Sequence, residues 1–151
     1  GNSPTLVTGL SRTITPASTS NKILVQASVY ASATAYSQYI WIKHNGSGSY
    51  ANLSDGTNGS IGTGDPDGSS GYGSRTPVMF GGQGGTAESH EASTATMSFL
   101  DSPGKDTEFT YQVYACQRAG GTMYINRPAT TTDADYISVG ISSLTLWEIK
   151  V

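Results

Sequence analysis

The feature that most constrains this chain is a period-two alternation of apolar and polar residues in short runs. Alternate positions of the run 22–31 hold the apolar residues Ile23, Val25, Ala27 and Val29. The runs 94–101 and 108–117 alternate in the same way. Successive side chains on a strand point to opposite faces, so each run predicts a strand with one buried face. No segment places apolar residues at helical spacing over three turns, so no helix is predicted.

Turn signals separate these runs and set the fold class. The run 38–44 ends at Asn45-Gly46, a strong signal for a tight turn. Gly and Pro also border a short run at 122–127, and the run 134–151 has room for one or two more strands. Short strands between such turns predict an all-β fold, which we assign as a single antiparallel β-sandwich of jelly-roll type spanning residues 1–151.

Charge and composition narrow the classes of partner. Eight Lys and Arg against eleven Asp and Glu give a net charge of −3, whereas nucleic-acid binding needs a clustered basic face, so no nucleic acid is expected. No apolar run approaches the ~18 residues of a membrane span, and no signal peptide is recognisable, so no membrane insertion is expected. The chain opens at Gly1 rather than Met, which predicts a tag remnant or a cut from a longer protein.

A long segment rich in Gly, Ser and Asp interrupts the strand pattern at residues 52–85. Such a segment in a compact domain is usually a functional loop or a disordered one. Its Tyr72 and Arg75 are residue types enriched at recognition surfaces, and we predict that they bind the ligand. Two carboxylate pairs, Asp65 with Asp67 and Asp133 with Asp135, are interpreted first as turn-forming residues that bond their own backbone. The alternative is a Ca²⁺ site, for which Asp65 and Asp67 are the candidate ligands. No cofactor is expected, with Ca²⁺ as the alternative.

Sequence motifs for catalysis are not recognisable. The chain carries no nucleophile elbow, phosphate-binding loop or zinc-protease motif, and no pair of its carboxylates is marked out for glycoside hydrolysis. The one cysteine, Cys116, excludes an internal disulfide and is interpreted as a buried, inert thiol. We therefore predict that the protein is not an enzyme, and a carbohydrate-active β-sandwich hydrolase stays as a further alternative.

Several motifs in order along the chain resemble one group of proteins. The opening SRTITPASTSNKILVQASV is followed by FLDSPG, TYQVYA, YINRP, Asp133 and the closing SSLTLWEI. This series, over about residues 10–29 and 97–149, resembles modules of bacteriophage virion proteins, especially tail-fibre and other appendage proteins of marine phages. The resemblance implies a β-sandwich, often a jelly roll like the heads of the C1q and tumour-necrosis-factor proteins, and a homotrimer.

The resemblance implies a non-enzymatic appendage module that binds a glycan or protein of the host surface. Its location is then the virion, after synthesis in the host cytoplasm. A purely structural virion protein, such as a shaft, capsid decoration or collar, is the alternative. The strand at 22–31 and the closing run are apolar on both faces, which suits burial against a second copy of the chain. The alternative is that both faces are buried within the sandwich of one chain.

Overall fold

Alternating side chains build the fold from strands alone. A computed structural model describes residues 4–34, 37–45, 51–52, 80–83, 92–117, 121–130, 132–135 and 137–151. The described residues form nine strands: β1 (Thr5–Ile14), β2 (Lys22–Ala33), β3 (Ser37–His44), β4 (Ala51–Asn52), β5 (Phe80–Gln83), β6 (Ser93–Asp101), β7 (Phe109–Gln117), β8 (Met123–Ile125) and β9 (Ser143–Ile149). They contain no helix, and hence none that could cross a membrane.

Two antiparallel sheets form a β-sandwich, so the predicted all-β fold class is confirmed. The first sheet has the order β1-β7-β3-β4, with β5 also paired to β3. In the second sheet β2 is the central strand. Strand β6 pairs with one edge of β2, and the other edge pairs first with β9 and then with β8. The jelly-roll connectivity stays a prediction, because these pairings alone do not establish it.

Much of the core consists of the inward positions that the alternation predicted on β2, β6 and β7. Ile23, Val25 and Val29 of β2 are fully buried. Met97 and Phe99 of β6 lie on the same side of their sheet, in register with Ala27 and Val25. The inward residues of β7 and β3 cover them from the first sheet: Phe109, Tyr111, Val113, Ala115, Ile40 and Ile42. Burial of these side chains is the dominant stabilising contribution.

Strand β1 is an element that the sequence pattern did not predict. Its register with β7 is regular at Thr5 and Leu6 and again from Ser11, with a shift between them. Gly9 lies in this shift with a φ of 87°, a conformation that favours glycine. The shift buries Val7 and Leu10, three residues apart, so β1 shows no period-two signal.

The predicted closing run is only partly a strand. Among residues 134–142, those that the structure describes are not in a strand, and β9 begins at Ser143. The ring of Tyr30 packs against Gly140, where a methyl group would overlap it. The hydroxyl of Tyr30 and that of Ser138 lie 2.6 Å apart. Long-range contacts with β2 therefore hold this segment out of the sheet.

The predicted loop at 52–85 is bordered by strands at both ends. Asn52 belongs to β4, and Phe80–Gln83 forms β5, whose backbone pairs with Ser37 to Ile40 of β3. The pairing explains why a glycine-rich stretch extends as a strand. Residues 53–79 lie outside the described part of the chain.

Candidate functional site

A cavity of about 690 Å³ opens between the two sheets at one end of the sandwich. It is lined by residues 5–8 of β1, 115–117 of β7, 121–123, 125 and 126. We call it the edge pocket. Its volume lies within the roughly 300–1,000 Å³ that is usual for small-molecule sites.

The topology explains why the sandwich is open here. Strand β9 pairs with β2 only as far as Ser28. Strand β8 pairs with β2 from Ala31, over three residues. On the facing sheet, the shift in β1 carries the chain out of register with β7 after Leu6. The rim of the edge pocket is thus a short strand on one side and an irregular strand on the other.

The lining of the edge pocket is polar but uncharged. Thr5, Thr8 and Thr122 contribute hydroxyls, and Gln117 and Asn126 contribute carboxamides. The remaining described lining residues are apolar or small: Leu6, Val7, Ala115, Cys116, Gly121, Met123 and Ile125. Such a surface favours a neutral ligand, because a desolvated charge would find no opposite charge among these residues.

Gln117 is the unusual residue of the edge pocket. It is 6% exposed, and its Oε1 and Nε2 are buried with no hydrogen-bond partner in the described structure. Gly121 packs directly against its carboxamide, since a methyl group there would overlap Oε1. Most buried polar side-chain atoms in proteins have a partner, so a glutamine with both amide atoms unpaired requires an explanation.

The wall of the pocket around Asn126 is held by hydrogen bonds. Asn126 has a φ of 64°, and its backbone N–H donates to the Tyr30 carbonyl at 2.8 Å. The Ser142 hydroxyl donates to Asn126 Oδ1 at 2.6 Å and accepts from the backbone N–H of Tyr30 at 3.0 Å. Thr122 is fixed by its backbone, which exchanges two hydrogen bonds with Thr34. The pocket is therefore preformed on this side.

Cys116 of β7 lines the edge pocket from the first sheet and is partly buried, whereas the sequence predicted a buried thiol. Burial raises the pKa of its thiol above the ordinary value. A raised pKa lowers the fraction of reactive thiolate, and the low reactivity of this thiol stays a prediction.

A second cavity of about 380 Å³ is lined by residues between 127 and 139. It includes Asp133, which is exposed, and Arg127, whose guanidinium lies 4.2 Å from the Tyr124 ring centre. Its charged groups reach water or a ring without any ligand. It shows no unpaired buried group comparable to Gln117 within the described residues.

The opposite end of the sandwich also buries polar side chains. The Tyr111 hydroxyl donates to Asp101 Oδ2 at 2.6 Å, and both residues have no solvent exposure. The His44 ring stacks on Tyr111 with ring centres 5.8 Å apart. Burial, then the charge of Asp101 and the hydrogen bond to it, raise the pKa of Tyr111 far above its ordinary value. None of these residues lines either cavity.

The outer face of the second sheet carries an apolar row. Leu100 of β6 and Trp147 of β9 are both in register with Leu24 of β2. Leu100 is 40% exposed and Trp147 56% exposed. The row at Ser28, Thr96 and Ser143 on the same face is polar, so the apolar surface is confined to one end of the sheet.

The residues predicted from sequence to bind a ligand or metal are Tyr72, Arg75, Asp65 and Asp67. All four lie outside the described residues, and their roles stay predictions. In the described part of the chain, no group of three or more His, Cys, Asp or Glu side chains could hold a metal ion. Sequence reasoning missed Gln117, although it occupies the next inward position of β7 after Ala115. A polar residue that continues an apolar alternation was the available signal.

Comparison with known proteins gives no relative for this fold and pocket. No protein-family model matches the chain, and no curated protein or solved structure does so either.

Proposed function

We propose that this β-sandwich is a non-enzymatic recognition module of a phage virion appendage, and that it binds a glycan of the host surface. The observation that carries the proposal is the edge pocket, with the unpaired Gln117 carboxamide at its wall. The pocket has hydroxyls and carboxamides to bond sugar hydroxyls and apolar side chains to contact a sugar ring. Its described lining has no carboxylate, which favours binding over acid-base hydrolysis at this site.

The proposal is tested with the full chain on an array of bacterial surface glycans. We expect binding to neutral glycans that survives moderate salt, because the described lining is uncharged. Two variants separate the candidate contacts: Gln117→Leu in the edge pocket, and Tyr72→Ala with Arg75→Ala in the predicted loop. An array without any bound glycan, read with oligomeric protein, would contradict the proposal.

The second candidate function, a structural virion module, is supported by the outer apolar row. Exposed apolar side chains that adjoin across three strands are typical of a protein interface. We assign the row to contacts with further copies of this chain, consistent with the proposed homotrimer.

Light scattering of the wild type and of Leu100→Lys tests this assignment, and Thr96→Lys is the control on the same strand and face. Dissociation by Leu100→Lys alone is the expected result, and a monomeric wild type at micromolar concentration would contradict it.

A further inference from the structure

The edge pocket has features that select one part of a glycan. We propose that it binds the acetamido group of an N-acetylated hexosamine, and that the Gln117 carboxamide recognises this group. The inference rests on the proposed glycan binding and adds a ligand class to it.

The chemistry of Gln117 indicates the complementary group. A carboxamide offers an N–H donor at Nε2 and an acceptor at Oε1. In an acetamido group the N–H and the C=O point in opposite directions, because the amide is trans. The acetamido N–H can donate to Oε1, and the neighbouring sugar hydroxyl can accept from Nε2. A carboxylate accepts only and an ammonium group donates only. Each also carries a charge, and the described lining of the edge pocket offers no opposite charge.

The remaining lining residues fit the rest of an N-acetylated sugar. Val7, Met123 and Ile125 offer apolar contacts for the acetyl methyl group. The hydroxyls of Thr5, Thr8 and Thr122 can bond the sugar hydroxyls. The absence of charge among the described lining residues disfavours a free amino sugar or an acidic sugar.

Without a ligand, the carboxamide of Gln117 has hydrogen-bonding capacity that a ligand can use. Both amide atoms are shielded from water, and Gly121 leaves the carboxamide no side chain to bond. A rotation of the Gln117 side chain towards the cavity would exchange two unpaired atoms for two hydrogen bonds to the ligand. Both amide atoms of Gln117 then gain partners when the sugar binds, and this adds to the affinity.

The experiment is a calorimetric titration of the full chain with three probes. The probes are methyl N-acetyl-β-glucosaminide, methyl β-glucoside and the dipeptide analogue N-acetylalanine methylamide. We expect the acetamido sugar to bind at least about tenfold more tightly than the glucoside, since each 1.4 kcal/mol of lost hydrogen bonding is a factor of ten. Gln117→Leu should lose this preference while its melting temperature rises.

Two further measurements separate binding from folding. Gln112→Leu removes a glutamine from the outer face of the same strand, where it accepts from the Tyr114 hydroxyl at 3.0 Å. This control should keep the sugar preference. Cys116 lines the pocket and is the one cysteine of the chain. The acetamido sugar should slow its alkylation in the wild type but much less in Gln117→Leu.

The outcomes separate three points: the selection of the acetamido group, the glycan as the ligand, and the edge pocket as the site. Equal binding of the acetamido sugar and the glucoside would overturn acetamido selection and leave glycan binding in place. Binding of the dipeptide analogue but of neither sugar would overturn the glycan ligand in favour of a peptide amide. Array binding that is unchanged in Gln117→Leu would overturn the edge pocket as the site, whereas an empty array would overturn the proposed function itself.

Discussion

Both ends of β7 bury a polar side chain, but only one of the two side chains has a hydrogen-bond partner in the described structure. At one end, Tyr111 donates its hydroxyl to Asp101 and stacks with His44. At the other end, Gln117 is also buried, but both its amide atoms lack partners beside a cavity. Tyr111 and Gln117 are inward positions of the same alternation. The pattern of the strand therefore does not determine whether a buried polar residue stabilises the fold.

The difference follows from what faces each residue. Asp101, the last residue of β6, lies within reach of Tyr111, so sheet-to-sheet packing supplies a partner. Among the described residues, those that line the pocket near Gln117 on the other side belong to the short β8 and to its flanking segments, which include Gly121. A paired buried group contributes to stability, whereas an unpaired one next to a cavity is typical of a binding site that is costly for the fold.

The largest expected effect is at the paired end, from Tyr111→Phe. The variant leaves Asp101 buried without its one observed hydrogen bond, since its Oδ1 is already unpaired in the described structure. We expect a loss of about 2–4 kcal/mol in the free energy of unfolding, measured with urea. Tyr114→Phe, on the outer face of β7, is the control and should cost about 1 kcal/mol or less. A loss no larger than in the control would show that the buried pair adds little.

The same residue predicts how stability depends on pH. Because the pKa of Tyr111 is raised in the folded state, the folded protein holds this proton more tightly than the unfolded chain does. Its contribution is complete below the unfolded-state pKa of about 10 and is lost as the pH rises above it. The wild type should thus lose more stability than Tyr111→Phe between pH 10 and pH 12. Parallel curves for the two proteins would contradict the assignment.

At Gln117 we expect the opposite effect, a variant that is more stable than the wild type. Gln117→Leu replaces two unsatisfied polar atoms by apolar ones, and we expect a gain of about 1–2 kcal/mol in unfolding free energy. Gln112→Leu removes a paired glutamine from the same strand and should lose about 1 kcal/mol. Urea titrations of both variants compare the two directly. A loss of stability in Gln117→Leu would indicate that the amide has a structural role.

A smaller effect is expected at the wall of the edge pocket, from Ser142→Ala. This change removes the acceptor for the Tyr30 N–H and the donor to Asn126 Oδ1. The expected loss is about 1 kcal/mol. Hydrogen exchange should locate it at the amide of Tyr30 and leave the core amides of β7 protected. Uniform loss of protection would mean that this wall is coupled to global unfolding.

The smallest effect is at Glu148, an exposed residue in the row of Ile23 and Asp101. Hydrogen bonds from the Asn21 side chain and from the backbone of Ala17 lower the pKa of its carboxyl. A lowered pKa in the folded state stabilises the protein above the unfolded-state pKa of about 4.3, and this contribution is lost as the pH falls. The melting temperature of wild type should therefore exceed that of Glu148→Gln near pH 6 and approach it near pH 3. Glu108→Gln, also exposed, serves as the control.

Part of the fold was predictable because its signal is local. The inward residues of β2, β6 and β7 follow strict alternation, and the structure confirms them as core. The signal failed at β1, where a register shift around Gly9 hides the alternation. It also failed at residues 137–142, where apolar residues such as Val139 and Ile141 are exposed because Tyr30 and Asn126 hold the segment off the sheet.

The candidate site was less predictable than the core. Sequence reasoning selected Tyr72 and Arg75 by residue type, and both lie outside the described residues. It passed over Gln117, because a glutamine at the end of a strand is ordinary in sequence. The environment of Gln117 depends on β1, on β8 and on Gly121. A local sequence pattern does not predict how these segments pack against one another.

The sequence by itself determined that this protein folds into strands, and which face of β2, β6 and β7 is buried. Side chains alternate along any extended backbone, so this information lies within each run of residues. Only the tertiary structure decided which strands pair, where β9 gives way to β8, and which buried polar group finds a partner. Those outcomes depend on the distances between segments that are remote in sequence. The edge pocket and its unpaired amide therefore appear only when the two sheets are packed together.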